Sequence, residues 1–227
     1  MDKASKDDRS APKAAPRNDP REKIVDALMG LATERPWEEI SLADLADRAG
    51  VTLAQFRDFF PSKGAVLGGF SRRIDRQVLE GGASAGESPK DRLFDVLMRR
   101  FDAMAPYKEA LKNINDWAMR DPLALPSLNQ LALNSLRFML EAAGLSSEQP
   151  LGALKLQGLA LAWARVFHVW LADDSADNSK TMAALDHELA RGESLVERAD
   201  EARRRLEPLA KPLIGLAERV LGAAARR

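Results

Sequence analysis

Two short helix patterns separated by a single glycine occupy Ser41 to Lys63, where the sequence is SLADLADRAGVTLAQFRDFFPSK. Ser41 and Asp44 have the spacing of a capping box, which predicts a first helix over residues 42–49. Gly50 then ends this helix, because glycine adopts the left-handed backbone conformation of a helix end without steric cost. The chain here is therefore restricted to a short helix followed at once by a tight turn.

The second pattern begins at Thr52, whose hydroxyl can cap the next helix, and ends at Pro61. Phe56, Phe59 and Phe60 are its candidate apolar positions. Two short helices joined in this way form a helix-turn-helix, in which the second helix enters the major groove of DNA. The stretch thus predicts a DNA-reading motif.

Helical periodicity continues through the rest of the chain, and no strand-like alternation persists for more than a few residues. Alanine and leucine are frequent while aromatic residues make up only 6%, a composition that favours helices over sheets. We therefore predict an all-α fold. Helices are expected near residues 19–35, 42–49, 53–60, 63–79, 89–104, 107–120, 124–143, 150–172, 178–203 and 207–224.

The pattern divides the chain into three regions. Residues 1–18 mix Lys, Asp, Ser, Pro and Ala without apolar periodicity, so we expect a disordered arm. Residues 19–66 hold the helix-turn-helix, and residues 67–227 are expected to form a larger helical domain.

The polar N-terminus lacks the apolar core of a signal peptide, and no run approaches the roughly 18 apolar residues of a membrane span. The chain contains no cysteine, which excludes disulfides and fits a cytoplasmic location.

Residues 20–70 resemble the N-terminal domain of the tetracycline-repressor (TetR/AcrR) family of bacterial transcription regulators, and the AGVT and FPSK elements make the resemblance fairly specific. Members usually bind operator DNA as homodimers and release it when a small molecule enters a cavity in the second domain. The resemblance implies a DNA-binding regulator, most often a repressor. Further matching positions are Ile24, Ala27, Leu28, Trp37, Glu38, Ile40, Leu42, Leu45, Ala46 and Leu67.

The resemblance also implies which residues contact the double-stranded operator. Thr52 and Lys63 stand where the family places phosphate contacts, which is the favoured interpretation; the alternatives are a plain N-cap for Thr52 and a solvated helix-start lysine for Lys63. Arg57 is a candidate partner for guanine or phosphate, and Gln55 for adenine. Asp58 is a departure from the family pattern, because an acid repels phosphate, yet aspartate can also accept a hydrogen bond from cytosine. The candidate DNA-binding residues are Thr52, Leu53, Ala54, Gln55, Arg57, Asp58, Phe59 and Lys63.

In the larger domain the resemblance implies a cavity for an unknown small apolar ligand. Large apolar side chains on its long helices are the candidate lining, although such stripes are also typical of an ordinary core. The candidate ligand-binding residues are Trp117, Phe138, Trp163, Phe167 and Trp170.

Dimerisation is implied for the helices near residues 150–172 and 178–203, packed against their symmetry mates as a four-helix bundle. From the sequence alone, the apolar residues of these helices fit either this interface or the domain core. They are Leu154, Leu161, Val169, Met182, Leu185 and Leu189.

Signals for catalysis or metal binding are weak. His168 and His187 are the only histidines, and their spacing forms no metal-binding pair. No phosphate-binding loop or nucleophile elbow is present. We therefore predict a protein that is not an enzyme and has no cofactor or metal. Lys plus Arg and Asp plus Glu number 34 each, so any DNA contact must come from a local patch of charge.

An alternative function comes from a second resemblance. Residues 166–192 are somewhat similar to the final helices of a lipid-binding family that assists ubiquinone biosynthesis, shares the TetR fold and has lost DNA binding. Residues 206–224 place several leucines near one face, which is compatible with contact at a membrane surface. Such a stretch is more often packed on its own domain, and Pro208 and Pro212 interrupt it. Membrane contact is therefore expected only under this alternative.

Overall fold

The computed structural model describes residues 19–82, 88–148, 152–198 and 201. These residues form helices and connecting turns, with no β-strand among them, so the all-α prediction is confirmed. The disordered arm predicted at 1–18 and the last predicted helix, 207–224, lie outside the described residues. The helices are α1 Pro20–Glu34, α2 Leu42–Ala49, α3 Leu53–Phe59, α4 Lys63–Glu80, α5 Pro89–Met104, α6 Lys108–Arg120, α7 Leu125–Ala142, α8 Gly152–Leu171 and α9 over residues 179–198.

The chain divides into two compact units, each built from two separate parts of the sequence. The N-terminal unit contains the described residues up to Arg73 together with Tyr107–Pro122. The C-terminal unit contains Ile74–Pro106 together with the described residues from Leu123 onward. Helix α6 therefore belongs to the same unit as the predicted helix-turn-helix.

Helices α1 and α2 begin at the N-caps that the sequence predicts. The Asp19 carboxylate accepts a hydrogen bond from the backbone N–H of Arg21 at 2.9 Å. The Ser41 hydroxyl accepts one from the backbone N–H of Asp44 at 3.1 Å, and the Asp44 carboxylate accepts one from the Ser41 N–H at 2.8 Å. Helix α2 ends at Gly50, whose φ of 68° is the left-handed conformation that glycine tolerates best.

Helix α3 is held in the N-terminal unit by two phenylalanines. Phe56 and Phe60 are buried, with only 2% and 3% of their surface exposed. The Phe60 ring lies so close to α4 that a Cβ added at Gly69 would be 3.0 Å from it. The same Cβ would be 3.1 Å from Val25 of α1. Glycine at position 69 therefore permits the close approach of these helices.

Helix α6 packs against α1, which explains why the N-terminal unit is larger than the predicted segment 19–66. The Asn113 side-chain amide donates a hydrogen bond to the Ala32 carbonyl at 2.8 Å. The rings of Trp37 and Trp117 stack with centroids 5.0 Å apart. These contacts join residues far apart in sequence, so periodicity along the chain contained no sign of them.

A buried polar cluster and an aromatic cluster lie in the core of the C-terminal unit. Arg100 forms an ion pair with Asp75, which also accepts a hydrogen bond from the Ser135 hydroxyl at 2.6 Å. Burial lowers the pKa of Arg100, and Asp75 opposes that effect. Next to this pair, Phe101 stacks on Trp163 with centroids 4.5 Å apart. The buried charges are therefore matched, as burial of an ion requires.

We predict that Asp44→Asn lowers the melting temperature at neutral pH, because hydrogen bonds from Ser41 and a contact with Arg35 favour the Asp44 carboxylate. These interactions lower the pKa of Asp44 from its ordinary 3.8 to about 2. A carboxyl group with a depressed pKa in the folded state stabilises the fold above its unfolded pKa, and this stabilisation is lost as pH falls through the folded value. Thermal unfolding of the variant and of the wild-type protein should therefore converge between about pH 4 and pH 2. Asp47→Asn, at an exposed position of the same helix, is the control, and a difference that stays constant with pH would contradict the prediction.

Candidate nucleic-acid interface

Helix α3 exposes one polar face and buries the opposite one. Residues two positions apart on an α-helix are separated by about 200°, so Ala54 and Asp58 both lie opposite the buried Phe56. Both are exposed, and the exposed Gln55 and Arg57 lie on either side of them. This face, formed by Ala54, Gln55, Arg57 and Asp58, is called the α3 face below. Its centre is Asp58, with Ala54 one turn earlier.

The start of α3 is held by a second capping box. The Thr52 backbone N–H donates to the Gln55 side-chain carbonyl oxygen at 2.9 Å, and the Gln55 N–H donates to the Thr52 hydroxyl at 3.2 Å. Thr52 is therefore the N-cap that the sequence predicts. Bidentate pairing of Gln55 with adenine would need the same carbonyl oxygen, so this predicted contact would compete with the cap.

Three apolar residues, Leu53, Phe59 and Phe60, lie beside the α3 face, and two of them contact a cation that sequence reasoning missed. Leu53 has 54% of its surface exposed, and Phe59 is half-buried. The Arg21 guanidinium lies 5.5 Å from the centre of the Phe59 ring and 5.8 Å from that of Phe60. Arg21 is exposed and forms no ion pair with any described residue. Its position becomes evident only when α1 and α3 are placed together, so no local pattern indicated it.

Lys63 binds the protein's own backbone at the start of α4. Its ammonium group donates hydrogen bonds to the carbonyl oxygens of Trp37 and Ile40, the latter at 2.8 Å. Its Nζ also lies 4.5 Å from the centre of the Trp37 ring. Burial lowers the pKa of Lys63, and the nearby Glu38 partly opposes this shift. An ammonium has three N–H donors, so the predicted phosphate contact would use the remaining one.

Several arginines of the N-terminal unit are paired with acids of the same unit. Arg48 donates two hydrogen bonds to the Glu34 carboxylate, at 2.9 and 2.6 Å. Arg35 lies 3.2 Å from the Asp44 carboxylate, and Arg73 is paired with acids of α1. In contrast, no ion pair links Arg57 to another described residue. Arg57 is therefore available to a partner outside the unit.

Solved structures with the same arrangement are bacterial regulators. A TetR transcriptional regulator from Nitrosomonas europaea is 24% identical with a TM-score of 0.58, over 76% of this chain and 97% of that one. A TetR-family regulator from Streptomyces coelicolor is 17% identical with a TM-score of 0.54, over 91% of this chain and 97% of that one. The chain has the TetR fold. No protein-family model and no curated protein matches it.

Within this TetR fold, three of the five predicted ligand-binding residues come together. Trp163, Phe167 and Trp170 form a continuous aromatic group on α8, with neighbouring centroids 6.2 and 5.6 Å apart. Phe138 does not join them in the core, because 56% of its surface is exposed. Trp117 belongs to the N-terminal unit and stacks on Trp37 there. Mutual contact within the predicted set is therefore seen for Trp163, Phe167 and Trp170.

The apolar residues of α8 and α9 separate into core and surface. Leu185 and Leu189 are buried, with 1% and 7% of their surface exposed, so both belong to the core. Leu154 and Leu161 are 64% and 53% exposed and lie two turns apart on α8. Both are therefore open to a partner subunit, as is Leu195 of α9 with 61% of its surface exposed. Val169 and Met182 are half-buried. Among the described residues, no helix is both long and apolar enough to cross a bilayer.

We predict that Lys63→Met destabilises the N-terminal unit, because the Ile40 carbonyl loses its Lys63 donor and the Trp37 carbonyl keeps only the hydrogen bond from the Ile40 N–H at 3.2 Å. An unsatisfied, partly buried carbonyl typically costs about 1 kcal/mol or more. Urea unfolding should show this loss, while Lys112→Met on the exposed side of α6 should leave the midpoint unchanged. Equal stability of the Lys63→Met and wild-type proteins would show that the ammonium contributes nothing to the fold.

Proposed function

We propose that this chain is a DNA-binding transcriptional regulator of the TetR type that acts through the α3 face. The observation that supports this most is an exposed α3 within a capped helix-turn-helix, with Arg57 unpaired by any described residue. A helix that enters the major groove needs polar side chains and no competing contacts within its own protein. Arg57 and Asp58 meet both requirements, whereas the Gln55 carbonyl oxygen is bound in the cap of α3.

The DNA contacts come from α3 and from the start of α1. Arg57 supplies a guanidinium for guanine or phosphate, and Leu53 supplies apolar surface that suits the thymine methyl group. Arg21 adds a cation near the end of α3, where a phosphate of the flanking backbone would be neutralised. Thr52, Gln55, Phe59 and Lys63 act mainly by holding α3 in position. Under this proposal the protein is a regulator and not an enzyme.

We also propose that the regulator acts as a homodimer and responds to a small apolar ligand. Leu154 and Leu161 support dimerisation, because exposed leucines on one helix face commonly mark a protein interface.

Trp163, Phe167 and Trp170 are the candidate ligand contacts, with Phe101 packed against them. Under this proposal the regulator is a repressor that releases DNA when the ligand binds. Residues 206–224, on which the membrane contact of the lipid-binding alternative depends, lie outside the described residues.

We predict that the purified full chain binds the duplex upstream of its own gene more tightly than a scrambled duplex, and that Arg57→Ala weakens this binding. Loss of a guanine contact should cost about 1–3 kcal/mol on the upstream duplex alone. Loss of a phosphate contact should instead weaken binding to both duplexes and lower the salt slope by about one. Fluorescence anisotropy across a salt series measures both quantities.

Arg76→Ala is the matched control for this experiment, since it removes an exposed arginine of the C-terminal unit. It should leave both affinities and the salt slope unchanged. Equal binding of the wild-type protein to the two duplexes at every salt concentration would overturn the proposed function. An Arg57→Ala variant that matches the wild type would remove only Arg57 from the interface.

We predict that Leu161→Glu shifts the protein from dimer to monomer, because a buried carboxylate without a partner opposes association. Sedimentation equilibrium measures the mass directly, and circular dichroism checks that the variant remains folded. Leu42→Glu is the control, as it places the same charge at a leucine of α2 that is 40% exposed. A folded Leu161→Glu variant with the wild-type mass would place the dimer interface elsewhere.

A further inference from the structure

Asp58 occupies an unusual place for an acid in a DNA-reading helix. Around the helix axis it lies at the centre of the α3 face, opposite the buried Phe56, and along the axis it lies in the last turn of α3. Its carboxylate forms no hydrogen bond or ion pair with any described residue, and Arg57 next to it is not its partner. Asp58 therefore has no role in holding the N-terminal unit together.

The central position of Asp58 determines what its carboxylate meets in a complex. The flanks of a helix in the major groove face the phosphates, whereas the middle of its exposed face points to the base edges. Ala54, one turn before Asp58, has only a methyl group and so allows α3 to approach the groove floor closely. A carboxylate at this point enters a region of bases and is kept away from phosphate, where repulsion would be greatest.

Among the bases, cytosine fits an ionised carboxylate best. The carboxylate has only acceptors, so it requires a donor from the base. Guanine presents O6 and N7 and thymine presents O4, all of which are acceptors that repel it. Adenine offers the N6 amino group but places the N7 acceptor beside it, whereas cytosine offers the N4 amino group alone. A single acid in this place thus selects one base by attraction and disfavours the other three by repulsion.

We propose that Asp58 determines operator specificity by accepting a hydrogen bond from the N4 amino group of a cytosine in each half-site. This inference rests on the proposed function, since it assumes that α3 enters the major groove. Arg57 offsets the charge of Asp58 on the same face, so the acid can approach DNA without making the face net negative. Because the Asp58 carboxylate repels acceptor groups on the other bases, it lowers the affinity for sites that lack the cytosine.

Selection from a duplex library with a fully randomised core tests the proposal with the full-length chain. The wild-type protein should select a two-fold symmetric motif with a required cytosine in each half. Asp58→Ala should lose the preference at that position alone and bind the wild-type motif about ten-fold or more weakly. Asp58→Asn should change the preferred base there to adenine, because an amide can pair with N6 and N7 together. Both variants alter an exposed side chain, and their melting temperatures should equal that of the wild type.

Whether the Asp58 variants bind DNA more weakly or more tightly than the wild type distinguishes base recognition from simple repulsion. If Asp58 only repels DNA, Asp58→Ala and Asp58→Asn will bind the selected and random duplexes more tightly by the same factor and keep the wild-type motif, which overturns the inference. Asp116→Asn, which removes an exposed acid from α6 of the same unit, is the control for charge alone and should leave the motif unchanged. A wild-type protein that selects no motif would overturn the proposed function itself, together with this inference.

Discussion

The N-cap hydrogen bonds of α2 and α3 are the interactions on which the candidate interface depends. These helices have eight and seven residues, and helices of that length are not stable in water without help from caps and tertiary packing. Each capping residue typically contributes about 1 kcal/mol. Ser41 and Thr52 provide the caps, and Phe56 and Phe60 anchor α3 by burial. The exposed side of α3 can therefore carry side chains chosen for recognition, since the fold does not depend on them.

Capping residues, glycine and proline were sufficient to predict most helix ends. The predicted helix 42–49 matches α2, and the prediction 89–104 matches α5, because both begin at a serine cap that appears in the sequence. Contacts between distant residues were not predictable in this way. The attachment of α6 to α1 and the binding of Lys63 to the turn before α2 depend on tertiary packing. The exposure of Phe138 likewise could not be recognised, since an apolar residue on a long helix fits either core or surface.

The pairing of charges in the N-terminal unit gives information that the total charge of the chain does not. Positive and negative residues are equal in number over the whole chain, a composition that gives no evidence of a nucleic-acid partner. Arg48 and Arg73 are nevertheless bound to acids of the same unit, whereas Arg57 on α3 and Arg21 beside it form no ion pair with another described residue. The candidate site is identified by the ion pairs of the structure, which show which arginines are already bound and which are available to a partner. Sequence alone does not contain that distinction.

The stack of Trp37 on Trp117 gives the protein an internal optical reporter. The chain has four tryptophans, and each unit contains two of them, with Trp163 and Trp170 grouped around Phe101 in the C-terminal unit. Replacing one pair by phenylalanine would restrict the intrinsic fluorescence to the other unit. The emission of each unit can then be observed in its own variant, so that events in the N-terminal unit and in the aromatic core of the C-terminal unit can be followed without any added label.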